Sequence, residues 1–318
     1  MVKVLSLFDG ISGAAQALKE LGIECEYYAS EIDKYAIKIA QKNHPGIIHI
    51  GDVNNLIFED FKNIDLLVAG FPCQDLSVAK RGGRGLDGVR SGLFSKCLEA
   101  LDICKPKYFL FENVNSMKKE WRDKISELLG VQPIMINSAL LTAQMRKRLY
   151  WTNIPNIKQP EDRGVVLKDI IESGDSERLK SYCITATYSR ACPEDYFNHG
   201  QRQLIFKGCA MRGRNIVDGR RKDIKGSKTE QRLEFRSDKK INCLTTVSKD
   251  SLVAIKDLVR KLTPIECERL QGFPDNYTMG ISDSQRYKAL GNSFTVPVIK
   301  HILGDLFLHQ RRLYGSVQ

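Results

Sequence analysis

The first 150 residues alternate short apolar runs with amphipathic stretches, and the apolar runs end in glycines and acids. Residues 2–8 (Val-Lys-Val-Leu-Ser-Leu-Phe) read as a strand, Asp9-Gly10-Ile11-Ser12-Gly13 as a tight turn, and residues 14–21 as a helix stopped by Gly22. A second strand, residues 25–30, ends in Glu31-Ile32-Asp33, and a third, residues 47–50, ends in Gly51-Asp52-Val53. A strand–turn–helix rhythm of this kind leaves few folds open: an α/β, doubly wound sheet with ligands at the carboxyl ends of its strands.

The three strand ends carry Asp9 with Gly10, then Glu31, then Asp52. Only Gly10 and Gly13 stand in the first turn, so the GxGxxG dinucleotide fingerprint is absent, and with it the case for a dehydrogenase. An acid about 20 positions after a glycine turn is where α/β nucleotide folds bind ribose hydroxyls. Glu31 fits that role; Asp33 reads equally well as a helix N-cap. Ionised Glu31 and Asp52 are acceptors for hydroxyls and an exocyclic amine, whereas phosphates would call for bases. The pattern fits an adenosine without phosphates.

A fourth strand, residues 64–69 (Ile-Asp-Leu-Leu-Val-Ala), runs into Gly70-Phe71-Pro72-Cys73-Gln74-Asp75-Leu76-Ser77. Gly70 and Pro72 stop the strand and leave the Cys73 thiol on a loop at the ligand-binding edge. A free cysteine is more often a small buried hydrophobe; the polar, turn-forming surroundings favour a nucleophile here. Residues 80–92 are glycine-rich and basic, a composition suited to a lid over nucleic acid. A helix over 91–104 follows, then a strand at 108–111 ending in Glu112-Asn113-Val114, which brings Glu112 to the edge that carries Cys73. A helix over 118–129 and a strand over 134–140 come next. In Gln144-Met145-Arg146-Lys147-Arg148 the two arginines alternate onto one face of a strand.

From about Pro155 the rhythm is lost, and short β-like runs with many turns continue to about residue 283. The reading is a catalytic and cofactor-binding domain over 1–160 and a smaller domain over 161–283. Residues 284–318 then return to the first domain, with Gly291-Asn292-Ser293 opening an apolar helix over 296–308. The formal charge is +11, and residues 202–240 hold thirteen Lys/Arg against five Asp/Glu. That segment is read as a phosphate-tracking face. Nine cysteines without CxxC pairs indicate reduced thiols and no zinc site. No apolar run approaches the roughly 18 residues of a membrane span, and the start has no signal-peptide pattern. These features point to a cytoplasmic protein with neither metal nor membrane among its partners.

Taken in order, Phe8-Asp9-Gly10-Ile11-Ser12-Gly13, Glu31-Ile32-Asp33, Gly51-Asp52, Gly70-Phe71-Pro72-Cys73-Gln74, Phe111-Glu112-Asn113-Val114 and Gln144-x-Arg146-x-Arg148 form a motif series. Residues 260–274 (Arg-Lys-Leu-Thr-Pro through Gln-Gly-Phe-Pro) and Gly291-Asn292-Ser293 complete it. Over nearly the whole chain this resembles the DNA cytosine-5 methyltransferases. The resemblance implies a Rossmann-like S-adenosylmethionine-dependent methyltransferase sheet with a smaller, mostly β or irregular target-recognition domain. The activity it implies is methyl transfer from S-adenosyl-L-methionine, leaving S-adenosyl-L-homocysteine, to carbon 5 of a cytosine flipped out of double-stranded DNA.

By the same resemblance Cys73 is the nucleophile at carbon 6, Glu112 holds the flipped base, and Arg148 with Arg146 supports base and nucleophile. The cofactor contacts are Phe8, Asp9, Gly10, Gly13, Glu31, Ile32, Asp52, Val53, Gly70, Pro72, Asn292 and Ser293. Gln74, Ser77, Arg81, Arg84, Arg90, Arg212, Arg214, Arg220 and Arg221 are expected at the DNA. Residues 183–190 and 212–221 are the candidates for base readout, the segment 81–92 matches the family's closing loop, and 260–274 would brace the recognition domain. The source expected is prokaryotic or phage, with a cognate restriction endonuclease as a further partner. Asp9 and Ser12 depart from the small residues of many relatives, and residues 138–143 lack a Gly-x-Pro-Gln lead-in. The alternatives are a tRNA cytosine-5 methyltransferase and an inactive, methyltransferase-like DNA-binding protein. A Cys-Phe-Thr stretch that marks the tRNA branch is absent, and Cys73, Glu112 and Arg148 are all intact. A zinc base deaminase is excluded by the missing HxE and PCxxC pattern.

Overall fold

The computed structural model describes residues 1–72, 93–176, 178–206, 209–214, 216–217, 220–221, 230–235 and 259–314. Its centre is a seven-stranded sheet in the order β3-β2-β1-β4-β5-β7-β6. The strands are β1 (Val2–Leu7), β2 (Cys25–Ser30), β3 (Ile48–Gly51), β4 (Leu66–Ala69), β5 (Tyr108–Val114), β6 (Ile134–Asn137) and β7 (Lys147–Thr152). Strands β1 to β5 pair in parallel, whereas β7 runs antiparallel to both β5 and β6. The order reverses between β1 and β4. That switch point opens a crevice outside their carboxyl ends.

The sequence accounts for these elements locally. Every residue of β4 is buried, as expected of a central parallel strand covered on both faces. Helix α1 (Gly13–Glu20) lies with the final helix, Val296–Tyr314, on one face, while α3 (Phe94–Cys104) belongs to the core of the other. Helix α2 (Lys34–Asn43) starts at Asp33, whose carboxylate accepts from Tyr35 N at 2.9 Å, so Asp33 is an N-cap. Helix α4 (Lys119–Leu129) stops at Gly130 in the left-handed region.

Helix Pro264–Gln271 has the fullest set of end signals. Pro264 opens it, Thr263 and Glu266 form a reciprocal capping box, and Gly272 closes it at φ +77°. Its Cys267 and Leu270, with Phe273 and Tyr277 beyond it, are buried in the same core as Val4 and Ile11. Short antiparallel pairs lie between: Leu204–Phe206 with Val259–Lys261, Cys209–Arg214 with Glu230–Phe235, and Ile216–Val217 with Arg220–Arg221. Among the described residues no helix is long and apolar enough to cross a membrane.

Four local expectations are corrected. The strand expected over 134–140 ends at Asn137, because the Asn137 side chain accepts from Ala139 N and Arg146 N and starts a 3-10 turn. Glu112 lies inside β5 rather than after it, held by pairing with Tyr150 of β7. Strand β7 begins at Lys147, so Arg146 precedes it. Gly291 and Asn292 close the helix Asp283–Asn292 instead of opening the last one. A side chain at Gly291 would stand 2.2 Å from Thr185 C and 2.3 Å from Ala186 N, so the close approach of that backbone requires glycine.

Candidate active site

The turn after β1 is built on three left-handed residues, Phe8, Gly10 and Ser12, at φ +57°, +61° and +60°. Two of them are not glycine, so surrounding bonds must hold the turn. Buried Asp9 does much of this, accepting from the hydroxyls of Ser6 at 2.6 Å, Tyr27 at 2.7 Å and Ser12. Burial raises the Asp9 carboxyl above the usual range, against the lowering effect of those three hydroxyls. Ser12 spends its hydroxyl on Asp9 and makes no side-chain cap for α1.

Glu31 sits at the end of β2. One carboxylate oxygen accepts from Gly10 N and the other from Ile32 N and Asp33 N, all at 2.8 Å. A carboxylate has about four acceptor positions, so one remains for a ligand hydroxyl. Phe8, Gly10, Glu31, Ile32, Asp52 and Val53 border one end of a cavity of about 330 Å³. Ile32 is 72% exposed, an uncovered apolar surface beside two acids. Near this end Lys288 is already paired with Asp33 at 2.7 Å, and the cavity's own cations among the described residues, Arg146 and Arg148, stand at the Glu112 end. Acceptors and an apolar face, with the cations kept elsewhere, suit a nucleoside better than a nucleotide phosphate.

At the other end are Gly70, Pro72, Glu112 and Arg148. Arg148 Nε is 2.9 Å from Glu112 Oε1, with both side chains about 15% exposed (15% and 14%). The pair arises because β7 runs against β5, setting Arg148 opposite Val114 and Glu112 opposite Tyr150. A side chain on Gly70 would meet the Phe294 ring at 3.0 and 3.2 Å and come within 3.8 Å of Glu112 Oε2. Asn113 Nδ2 donates to Phe71 O at 3.1 Å, tying β5 to the loop that leads through Pro72 to Cys73.

Arg146 is 4% exposed, and its guanidinium is committed to backbone. Nη1 donates to Ile184 O at 3.1 Å, and Nη2 to Gly291 O at 3.2 Å and Ser293 O at 2.9 Å. Cys183 Sγ lies 3.5 Å from Arg146 Nη1 and 4.0 Å from Arg148 Nη2.

The family model of the C-5 cytosine-specific DNA methylases matches residues 2–308. The chain belongs to this family. It is a DNA (cytosine-5) methyltransferase of the type found in restriction-modification systems. The methyltransferase is 29% identical to the type II methyltransferase M.NlaX of Neisseria lactamica, across 95% of each chain. It is also 29% identical to the type II methyltransferase M.HpaII of Haemophilus parainfluenzae, over 93% of this chain and 86% of that one. Its fold is similar to that of the methyltransferase EhMeth of Entamoeba histolytica, with TM-score 0.68 and 18% identity over 96% and 99% of the two chains. A putative DNA modification methyltransferase encoded within an E. coli prophage gives 0.59 and 21% over 97% and 99%.

Within the methyltransferase, the cavity gathers Phe8, Gly10, Glu31, Ile32, Asp52 and Val53 with Gly70, Pro72, Glu112, Arg146, Arg148 and Asn292. Three expected cofactor contacts do not border it. Asp9 faces the hydroxyls beneath the turn, Gly13 packs on Phe294 and Phe273, and Ser293 bonds Leu290 O and Arg146 through its hydroxyl and carbonyl. Cys73, Gln74, Ser77, Arg81, Arg84 and Arg90 lie outside the described residues, as does the segment 81–92. Arg212 and Arg214 fall on one antiparallel strand, and Arg220 and Arg221 on another. Sequence reasoning missed Asn113, Phe294 and Gln285. Asn113 alone carried a signal, as a polar residue next to Glu112 in a strand whose other residues are apolar or aromatic.

Proposed function

We propose that the methyltransferase binds S-adenosyl-L-methionine in this cavity and methylates carbon 5 of a cytosine extruded from duplex DNA at a specific sequence. The observation that carries the reading is the continuity of the cavity. An acidic end, Glu31 with Asp52, shares one cavity with the Glu112–Arg148 pair and with Gly70 and Pro72, the residues that precede Cys73. A ribose hydroxyl falls to Glu31, the adenine amine to Asp52, and the apolar base faces to Ile32 and Val53. The cofactor supplies an electrophilic methyl group on a sulfonium.

Carbon 5 of cytosine is too weak a nucleophile to take that methyl unaided. The Cys73 thiolate adds to carbon 6, forming a carbon–sulfur bond and moving the ring's electrons toward carbon 5. After methylation the proton on carbon 5 leaves, the carbon–sulfur bond breaks, and the thiolate is restored. Glu112 holds the ring nitrogen and exocyclic amine and balances charge developing on the ring. Arg148 fixes the carboxylate in place and faces the base. Extruding the base costs a few kcal/mol, which phosphate contacts from Arg212, Arg214, Arg220 and Arg221 and from the 81–92 segment offset.

The test is transfer of a labelled methyl group to duplex DNA and, in parallel, to tRNA, with modified cytosines mapped. Label in DNA at one recurring sequence is expected. Label in tRNA alone overturns the substrate assignment, and full activity in Cys73→Ala overturns the covalent mechanism. A restriction endonuclease reading that same sequence is the partner expected alongside.

A further inference from the structure

Arg146 and Arg148 are two residues apart, yet their surroundings divide them. Arg148 points its Nε at the Glu112 carboxylate, within the cavity. Arg146 spreads its two terminal nitrogens over three carbonyls from two distant parts of the chain, Ile184 on one side and Gly291 with Ser293 on the other. Its Nε is enclosed by protein and has no partner among the described residues. The guanidinium is thus turned to the protein's own backbone rather than to a base.

The segments it joins bear on different ends of the cavity. Asn292, between the two carbonyls held by Nη2, borders the cavity and closes the helix whose Lys288 pairs with Asp33 beside the nucleoside end. The Cys183–Ile184 segment is locked beside the base-facing wall: Ile184 N donates to Gln144 Oε1 at 2.8 Å, and Cys183 Sγ lies against Arg148. The same segment touches Gly291 so closely that a side chain there would overlap Thr185.

We infer that Arg146 is a positioning residue: it holds the 291–293 turn against the 183–184 segment, so that the cofactor end and the base end of the cavity keep one spacing. This rests on the cavity's assignment to S-adenosylmethionine. Lysine keeps the charge but is a point donor that cannot fork over three carbonyls. Removing the fork leaves buried carbonyls without a donor and frees the turn beside Asn292.

The experiment is calorimetric binding of S-adenosylhomocysteine to the wild type, Arg146→Gln, Arg146→Lys and Arg148→Gln, below each melting temperature. Kd is expected to rise about 10-fold in Arg146→Gln, the loss of a charged hydrogen-bond set. Arg146→Lys should recover part of it, and Arg148→Gln should bind as the wild type while losing turnover. In steady state Arg146→Gln should raise KM for the cofactor as well as lower kcat. Unchanged binding in Arg146→Gln with lost turnover overturns the inference and returns Arg146 to the base. A lowered melting temperature with unchanged Kd and KM reduces it to structure and overturns the inference too. If Arg146→Gln fails to fold, wild-type affinity in Arg146→Lys overturns it. A wild type that binds no S-adenosylhomocysteine overturns the cavity's assignment, and this inference falls with it.

Discussion

Gly70 marks where a single methyl group would disturb the site. Its position is fixed by the end of β4 below and the Phe294 ring above, which would stand 3.0 Å from a Cβ placed on the glycine. Gly70→Ala must displace that ring and sets its new methyl group 3.8 Å from Glu112 Oε2. Overpacking of this kind costs about 1–3 kcal/mol, and a fall in methyl transfer larger than the fall in melting temperature explains is expected from assays of both. Asp9→Ala acts from below, stranding the buried hydroxyls of Ser6, Ser12 and Tyr27. A loss of about 2–3 kcal/mol in denaturant unfolding is expected, since each buried unsatisfied group costs about 1–3 kcal/mol. The prediction fails if Asp9→Ala unfolds at the wild-type midpoint. At this scale Glu31 and Glu112 were legible because a carboxylate closing an apolar run gains nothing from packing and so must serve a ligand or a cap. The role of Asp9 was not legible. Its partners converge from β1, β2 and the turn, a meeting that only the folded chain produces.

Secondary elements were legible where a periodic pattern met a local stop signal. Helix Pro264–Gln271 advertises both ends, and its stop is absolute: a side chain on Gly272 would stand 2.2 Å from Pro297 Cδ at φ +77°. Gly272→Ala is expected to destabilise by about 3 kcal/mol or more, from strain and collision together, with thermal melting as the check. What hid was orientation. Nothing in the alternation of residues 147–152 says that β7 runs antiparallel, and the helix Asp283–Asn292 has a weakly apolar sequence whose buried side is set by the 185–186 backbone. Helix α2 carries a pH response at its far end. Burial, and then the Lys19 ammonium, push the His44 imidazole down to about 4, and its Nε2 meets Tyr277 Oη at 3.0 Å. The folded protein keeps His44 neutral between about 6.5 and about 4, where the unfolded chain takes up a proton. Stability therefore declines as pH falls through that window. His44→Gln should flatten that part of the profile in denaturant melts from about pH 7 to about pH 4; an unchanged slope contradicts the assignment.

Along the whole chain the positive charge is unevenly distributed. The total of +11 is carried largely by residues 202–240, whereas the nucleoside end of the cavity is acidic. DNA affinity is expected to fall steeply between about 50 and 200 mM salt, by about 10³ if some six phosphates are neutralised. A flat salt dependence would remove the role given to that segment. Cofactor binding, which uses no phosphate, should be nearly indifferent to salt, so the two affinities separate in one titration series.

The cover on helix α1 also bears on how the core closes. Helix α1 is covered by the helix Val296–Tyr314, far along the chain from it, with Lys300 reaching Glu20 at 3.1 Å. Phe294, from the same late segment, presses on Gly70 and Gly13. The strands thus gain the cover on their core only by closing a separation of 280 residues, and contacts this far apart in sequence form slowly. The strand ends can therefore form before the wall that Phe294 gives them, and the site is complete only when that long-range contact is made.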